Sequence, residues 1–148
     1  VENQADLTCT FNVTAYADLN ATIIGDEIII GIQNVTLTGW NSTIIIFVWD
    51  TLGVAHGNYT ISAYATPLEA EADLEDNTYI DNWIVVTIPG DVDGDFDVDL
   101  YDAVNLLTRY GAKKGNPKYD PICDIDGDGD IDLFDAVKLL TNYGKKDP

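Results

Sequence analysis

The sequence predicts a mostly β chain with a small α-helical part: an antiparallel β-sandwich over residues 1–88, followed by a pair of loop–helix repeats over 89–148. Three observations predict it. The first 88 positions hold short runs rich in Ile, Val, Thr and aromatic residues, broken by Gly, Asn and Pro. From Pro89-Gly90 onward, Asp- and Gly-rich loops alternate with short helical patterns. The second region also repeats itself with a period of 33 residues.

Taken in order, the strand candidates are Leu7–Tyr16, Asp26–Leu37, Thr43–Trp49, Tyr59–Ala65 and Trp83–Ile88. Their β-branched and aromatic residues suit a pleated, half-buried surface. Thr38 to Ser42 reads as a hairpin turn, and Gly53 to Asn58 as another. Several short strands at this spacing suggest a sandwich. Strand parity places Ile29, Val35 and Leu37 on one face and Ile28, Ile30 and Ile32 on the other. In Thr43–Trp49, parity separates Ile45, Phe47 and Trp49 from Ile44, Ile46 and Val48. If the turn makes these strands neighbours, Ile28, Ile30, Ile32, Ile44, Ile46 and Val48 form one apolar patch large enough to drive homodimerisation. A neighbouring domain, a preceding segment or the helices could cover it instead.

Charge separates the two regions. Residues 1–90 carry 12 acids and no Lys or Arg, hence −12, and residues 91–148 carry 14 acids and seven bases, hence −7. Neither region has a basic patch to neutralise phosphates, so nucleic acid and anionic membranes are poor partners, and cations are good ones. The longest apolar run, Ile44–Trp49, is far shorter than the roughly 20 residues of a membrane span. The chain has no Met and reads as a processed fragment, with no leader or anchor signal.

Asn-x-Ser/Thr sequons stand at Asn12, Asn20, Asn34, Asn41 and Asn58, all in the first region, where chance placement gives about one. They point to a glycosylated domain, extracellular or at the cell surface. Thr-rich strands can also generate sequons incidentally. Two cysteines, Cys9 and Cys123, permit a disulfide in that compartment, although Cys9 shares strand parity with Phe11 and also reads as a buried small hydrophobe. Trp40, Trp49 and Trp83 could stack on a sugar, with Trp49 and Trp83 also suiting a core.

In the second region, residues 91–111 align with residues 124–144. Each copy ends in a helical pattern with apolar residues at i, i+3, i+4 and i+7: Ala103, Leu106, Leu107 and Tyr110, then Ala136, Leu139, Leu140 and Tyr143. Asp99 and Asp132 are natural N-caps, and Gly111 and Gly144 natural C-caps. Ahead of each helix lies a twelve-residue loop with acids at its first, third, fifth and last positions. A hard cation that takes six to eight oxygens suits such a loop. The ligands read as the carboxylates of Asp91, Asp93, Asp95 and Asp102 with the Asp97 carbonyl, and of Asp124, Asp126, Asp128 and Asp135 with the Asp130 carbonyl. Asp99 and Asp132 would act through water. The cofactor is two calcium ions, which would bring the region from −7 to −3. Position six is Gly129 in the second loop but Phe96 in the first, where the turn favours Gly. A left-handed Phe96 costs about 1–2 kcal/mol, making the first loop roughly 5- to 30-fold the weaker site.

These repeats resemble a type I dockerin, and the resemblance covers about 54 of the 148 residues. It implies a calcium-binding, EF-hand-like module that docks onto a cohesin, a β-sandwich on another protein. Its last ligand is Asp, unlike the Glu of an EF-hand. Carried over by position, the partner surface is Leu100, Tyr101, Leu107 and Thr108, with Leu133, Phe134, Leu140 and Thr141. Leu107 and Leu140 also suit a core, whereas Tyr101 and Phe134 suit an anchor beside a rigid loop. Residues 1–88 resemble a CARDB-like, immunoglobulin-like adhesion domain of archaeal surface proteins. The resemblance rests on the segments starting at Phe11, Gly57 and Glu71, and it implies a sandwich whose N-terminal strands are missing. Glu71, Asp73 and Asp76 could hold a third cation but read better as a solvated turn.

The sequence gives no sign of an enzyme. The only His is His56, in a Gly-flanked turn, so no His-based nucleophilic triad can be built. The main alternative to a docking module is a calcium-stiffened structural or self-associating surface module with no cohesin partner.

Overall fold

The computed structural model describes residues 1–19, 27–69 and 71–147. Asn20 and Asp26 lie outside the described residues. The chain is mostly β with two short helices, and it divides into two units, Val1–Ile84 and Val85–Pro148. The division falls four residues before the 88/89 boundary expected from sequence, and packing explains why. Ile88 is 7% exposed within the core of the second unit, and a Cβ on Gly90 would sit 2.9 Å from the Leu139 Cα. The turn at Pro89-Gly90 belongs to the second unit.

The first unit is built on one four-stranded sheet: β1 (Cys9–Asp18), β2 (Ile28–Leu37), β3 (Gly57–Ala65) and β4 (Thr78–Val86), in the order β2-β1-β3-β4. β1 pairs antiparallel with both β2 and β3. Its alternation follows the two-residue period: Phe11, Val13, Ala15 and Ala17 are buried on the inner face, while Thr10 and Asn12 meet Thr36 and Asn34 on the outer one. The inner cluster gathers Phe11, Val13 and Leu37 with Val35, Ile45, Phe47 and Leu68.

Two expectations fail here. Thr43–Trp49 forms no ladder among the described residues. It lies across the inner face instead: Ile45 and Phe47 pack into the cluster, Gln33 Nε2 donates to the Ile46 carbonyl at 2.7 Å, and a Cβ on Gly31 would stand 3.1 Å from the Phe47 ring. The described strands therefore make one sheet with an extended segment over it, where two sheets were expected. The turn at Thr38–Ser42 does form, with the Asn41 N–H on the Thr38 carbonyl at 3.3 Å and Trp40 at φ 59°. It serves the N-terminal segment, however, because Asn3 N–H donates to the Asn41 carbonyl at 2.8 Å.

The second failure is the apolar patch. β1 and β2 slip by one residue at a bulge, so that Ala15 faces Gly31 but Tyr16 faces Ile29. A bulge inverts side-chain parity beyond it. Ile28 thereby joins the face of Val35, and Ile29 joins the exposed face of Ile32. Ile44, Ile46 and Val48 project from the covering segment on the opposite side of the sheet, at 88%, 74% and 86% exposed. The six residues do not form one face, and the basis for the expected homodimer is lost. Trp83 is also exposed, on edge strand β4, while Trp49 packs edge-on against Tyr59 at 5.3 Å. The sequons at Asn12, Asn34, Asn41 and Asn58 are exposed.

The second unit holds helices α1 (Leu100–Arg109) and α2 (Leu133–Asn142). Asp99 and Asp132 cap them, each inside a capping box closed by Asp102 or Asp135. Gly111 and Gly144 follow at φ 79° and 80°, the left-handed exit that Gly adopts freely. The two repeats are interleaved. The loop residue Val98 bonds to the segment after α2, giving Val98 N–H to the Lys145 carbonyl at 2.9 Å and Gly144 N–H back at 2.8 Å. Ile131 does the same after α1, with Ala112 and Gly111 at 2.8 and 2.7 Å. Val98 and Ile131 are wholly buried and pack with Leu106, Leu139 and Cys123, each such side chain contributing roughly 1.5–3 kcal/mol. Neither repeat has a closed core without the other. Both thiols are free, and Cys123 is sealed in this core.

Candidate metal centre

Each loop gathers acids around the end of its helix. One carboxylate oxygen from each of Asp91, Asp93 and Asp102 lies within 4.8 Å of the other two, and the same holds for Asp124, Asp126 and Asp135. The gathering follows from local hydrogen bonding. Asp102, wholly buried in the first turn of α1, accepts from Asp99 N–H at 2.7 Å with one oxygen. With the other it accepts from Val92 and Asp93 N–H at 2.6 and 3.2 Å. Asp135 repeats this with Asp132 N–H at 2.7 Å, Ile125 at 2.7 Å and Asp126 at 3.1 Å. The last acid of each loop thus draws the loop's beginning onto the helix.

The first acid sets the loop's curvature. Asp91 accepts from Gly94, Asp95 and Phe96 N–H at 2.7, 3.2 and 2.9 Å. Asp124 accepts from Gly127 and Gly129 at 2.8 and 3.0 Å. Phe96 stands at φ 70° and Gly129 at φ 95°, so position six is left-handed in both loops, as the sequence predicts.

Other loop positions stand apart from these triads. The side chains of Asp95 and Asp128 belong to none of the convergent groups. They accept from Asp97 and Asp130 N–H at 3.1 and 3.0 Å. Asp97, expected to act through its carbonyl, brings its side chain together with Asp99 and Asp102. Asp99 and Asp132 accept from Tyr101 and Phe134 N–H at 2.6 and 2.7 Å, as N-caps.

Asp97 Oδ2 meets Lys146 Nζ at 2.9 Å, and Asp130 Oδ2 meets Lys113 Nζ, each lysine coming from the segment that follows the other repeat's helix. The remaining oxygen of each, Oδ1, is buried without a hydrogen-bond partner. A buried carboxylate oxygen left unpaired is costly, and a bound cation is one way to satisfy it. The all-oxygen donor set, the convergent triads and the two orphan oxygens together fit a hard divalent cation.

The electrostatics agree. Burial, then the neighbouring carboxylates of Asp102, Asp95 and Asp91, raise Asp93 above the usual carboxylate range. The Asp130 N–H pulls Asp128 down, but burial and Asp126, Asp130 and Asp124 outweigh it, so the net shift is upward. Such crowding opposes ionisation, and added positive charge relieves it. Asp124 is instead lowered, first by the Tyr119 hydroxyl that donates to it at 2.6 Å. In the first loop Thr87 Oγ1 donates to Asp91 Oδ2. Sequence reasoning missed Thr87, Tyr119, Lys113 and Lys146. The lysines alone left a signal, being 33 residues apart like the loops.

The surface beside the loops is apolar and duplicated. Leu100 and Tyr101 are 62% and 71% exposed, and Leu133 and Phe134 are 61% and 65%. Leu107 and Leu140, read from sequence as fitting a core, are 64% and 63% exposed. The core takes their neighbours Leu106 and Leu139, because interleaving covers only a narrow stripe of each helix. Thr108 and Thr141 are exposed on the same helices. Among the described residues, no helix is long and apolar enough to cross a membrane.

Comparison with known families, with curated proteins and with solved structures finds no match to this chain.

Proposed function

We propose that Val85–Pro148 is a calcium-dependent docking module of the dockerin type, carried by an extracellular, adhesion-type β domain and binding a cohesin-like β-sandwich on another protein. One observation carries this reading. Each carboxylate cup is coupled through its capping box to a helix turn that displays two large exposed apolar side chains, and the arrangement occurs twice.

Asp91, Asp93, Asp95, Asp97 and Asp102 would hold one ion, and Asp124, Asp126, Asp128, Asp130 and Asp135 the other. The ion supplies positive charge that neutralises the crowded acids and ties the loop to the helix. The chain's own residues do the rest. Asp102 and Asp135 fix the first turn, and that turn presents Leu100 with Tyr101, and Leu133 with Phe134, as anchors. Aromatic anchors of this kind often contribute about 2 kcal/mol or more to binding. The exposed sequon asparagines of the first unit support glycosylation and an extracellular or cell-surface location.

The test is binding to immobilised cohesin-type sandwiches, with calcium and with excess chelator. Calcium-dependent capture, lost in Tyr101→Ala/Phe134→Ala at unchanged helicity, supports docking. Helicity that depends on calcium without any capture rejects docking and leaves a calcium-stiffened structural module.

A further inference from the structure

The first unit contains a cavity of about 500 Å³, a size typical of small-molecule sites. It opens between the N-terminal segment, the start of β1 and the turn after β3. Cys9, Phe11, Ala65 and Leu68 give it apolar walls and belong to the sheet's apolar cluster. Five exposed carboxylates, Glu2, Glu69, Glu71, Asp73 and Asp76, line it from the solvent side.

Two facts narrow the occupant. Residues 1–84 contain no Lys or Arg, so the unit has no basic side chain of that kind to neutralise this rim. In addition, every convergent acid triad among the described residues lies between Asp91 and Asp135, so the rim acids do not close on a point as a small metal ion requires. Glu71 is held in place instead, accepting from Leu68 N–H at 2.8 Å and Asn77 Nδ2 at 3.2 Å. An apolar cavity with dispersed negative charge at its mouth matches a dispersed ligand, with hydrocarbon inside and positive charge at the rim.

We propose that this cavity binds an organic cation with an apolar body, an ammonium group on a hydrocarbon stem. The proposal is independent of calcium docking. The test is calorimetry of the full chain, in calcium, with octylammonium, octanoate and octanol. One saturable octylammonium site is expected, with octanoate excluded and octanol much weaker. Glu69→Gln/Asp73→Asn/Asp76→Asn should weaken it about tenfold, at roughly twofold per exposed charge. Octanol binding as tightly, or full affinity in the triple variant, would overturn the proposal. The near-ultraviolet signal of Trp49 and Tyr59 reports whether that variant folds. If it does not, the wild type decides: affinity that falls with ionic strength supports the ionic rim, and salt-independent affinity overturns it.

Discussion

Phe96 occupies a backbone conformation that its repeat partner, Gly129, adopts freely, and exchanging them in turn isolates that strain. Phe96 stands at φ 70°, and its carbonyl receives the Asp147 N–H at 2.9 Å, so the peptide cannot simply rotate away. Gly129 has the equivalent bond from Lys114 at 2.8 Å. The left-handed region costs a side-chain-bearing residue about 1–2 kcal/mol. Glycine gives back about 0.5–1 kcal/mol through the greater freedom of its unfolded chain. Phe96→Gly should therefore gain about 0.5–1 kcal/mol net, or about 2- to 5-fold tighter calcium binding in the first loop. Gly129→Ala should lose a similar amount in the second loop, and a Cβ there meets nothing within 4 Å, so sterics do not contaminate the measurement. Two-site calorimetry reads both effects. Opposite shifts confined to the mutated loop are expected; an unchanged or weakened first loop in Phe96→Gly refutes the strain argument.

Other perturbations separate packing from display. Leu106→Ala or Leu139→Ala, at positions 1% and 2% exposed, should cost about 2–5 kcal/mol in denaturant unfolding, whereas Leu107→Ala and Leu140→Ala should stay within about 0.5 kcal/mol. Tyr119→Phe removes the hydroxyl that lowers Asp124; the metal-free unit should unfold at a lower denaturant concentration, and retained stability would show the bond to be incidental. Burial pushes the Cys123 thiol up to about 11 from an ordinary 9.0. Folding therefore favours the neutral thiol, and that contribution is fully present below pH 9.0 and is lost as pH rises toward 11. Melting temperature should fall across this window, less steeply in Cys123→Ala, and alkylation at pH 8 should be slow until the unit unfolds.

Local chemistry was legible in the sequence wherever a residue acts on its immediate neighbours. The 33-residue repeat, the capping aspartates, the exit glycines and the left-handed Phe96 all depend on contacts within a single turn or loop, and the order of residues specifies those. The strands β1, β2 and β3 were likewise readable from composition and turn residues. Tertiary structure decided what short-range pattern leaves open. A bulge of one residue in β2 inverted the parity on which the apolar patch depended. Thr43–Trp49 alternates like a strand, yet it covers the inner face of the sheet, because Ile45 and Phe47 fill the space over Phe11, Val13 and Gly31. The helical period marked Leu106 and Leu107 as equally apolar, and only the interleaving of the two repeats chose which to bury. The orphan oxygens of Asp97 and Asp130, and the lysines beside them, arise from pairings some 17 and 49 residues apart. Such contacts depend on chain geometry at a distance, which residue-by-residue propensity does not encode.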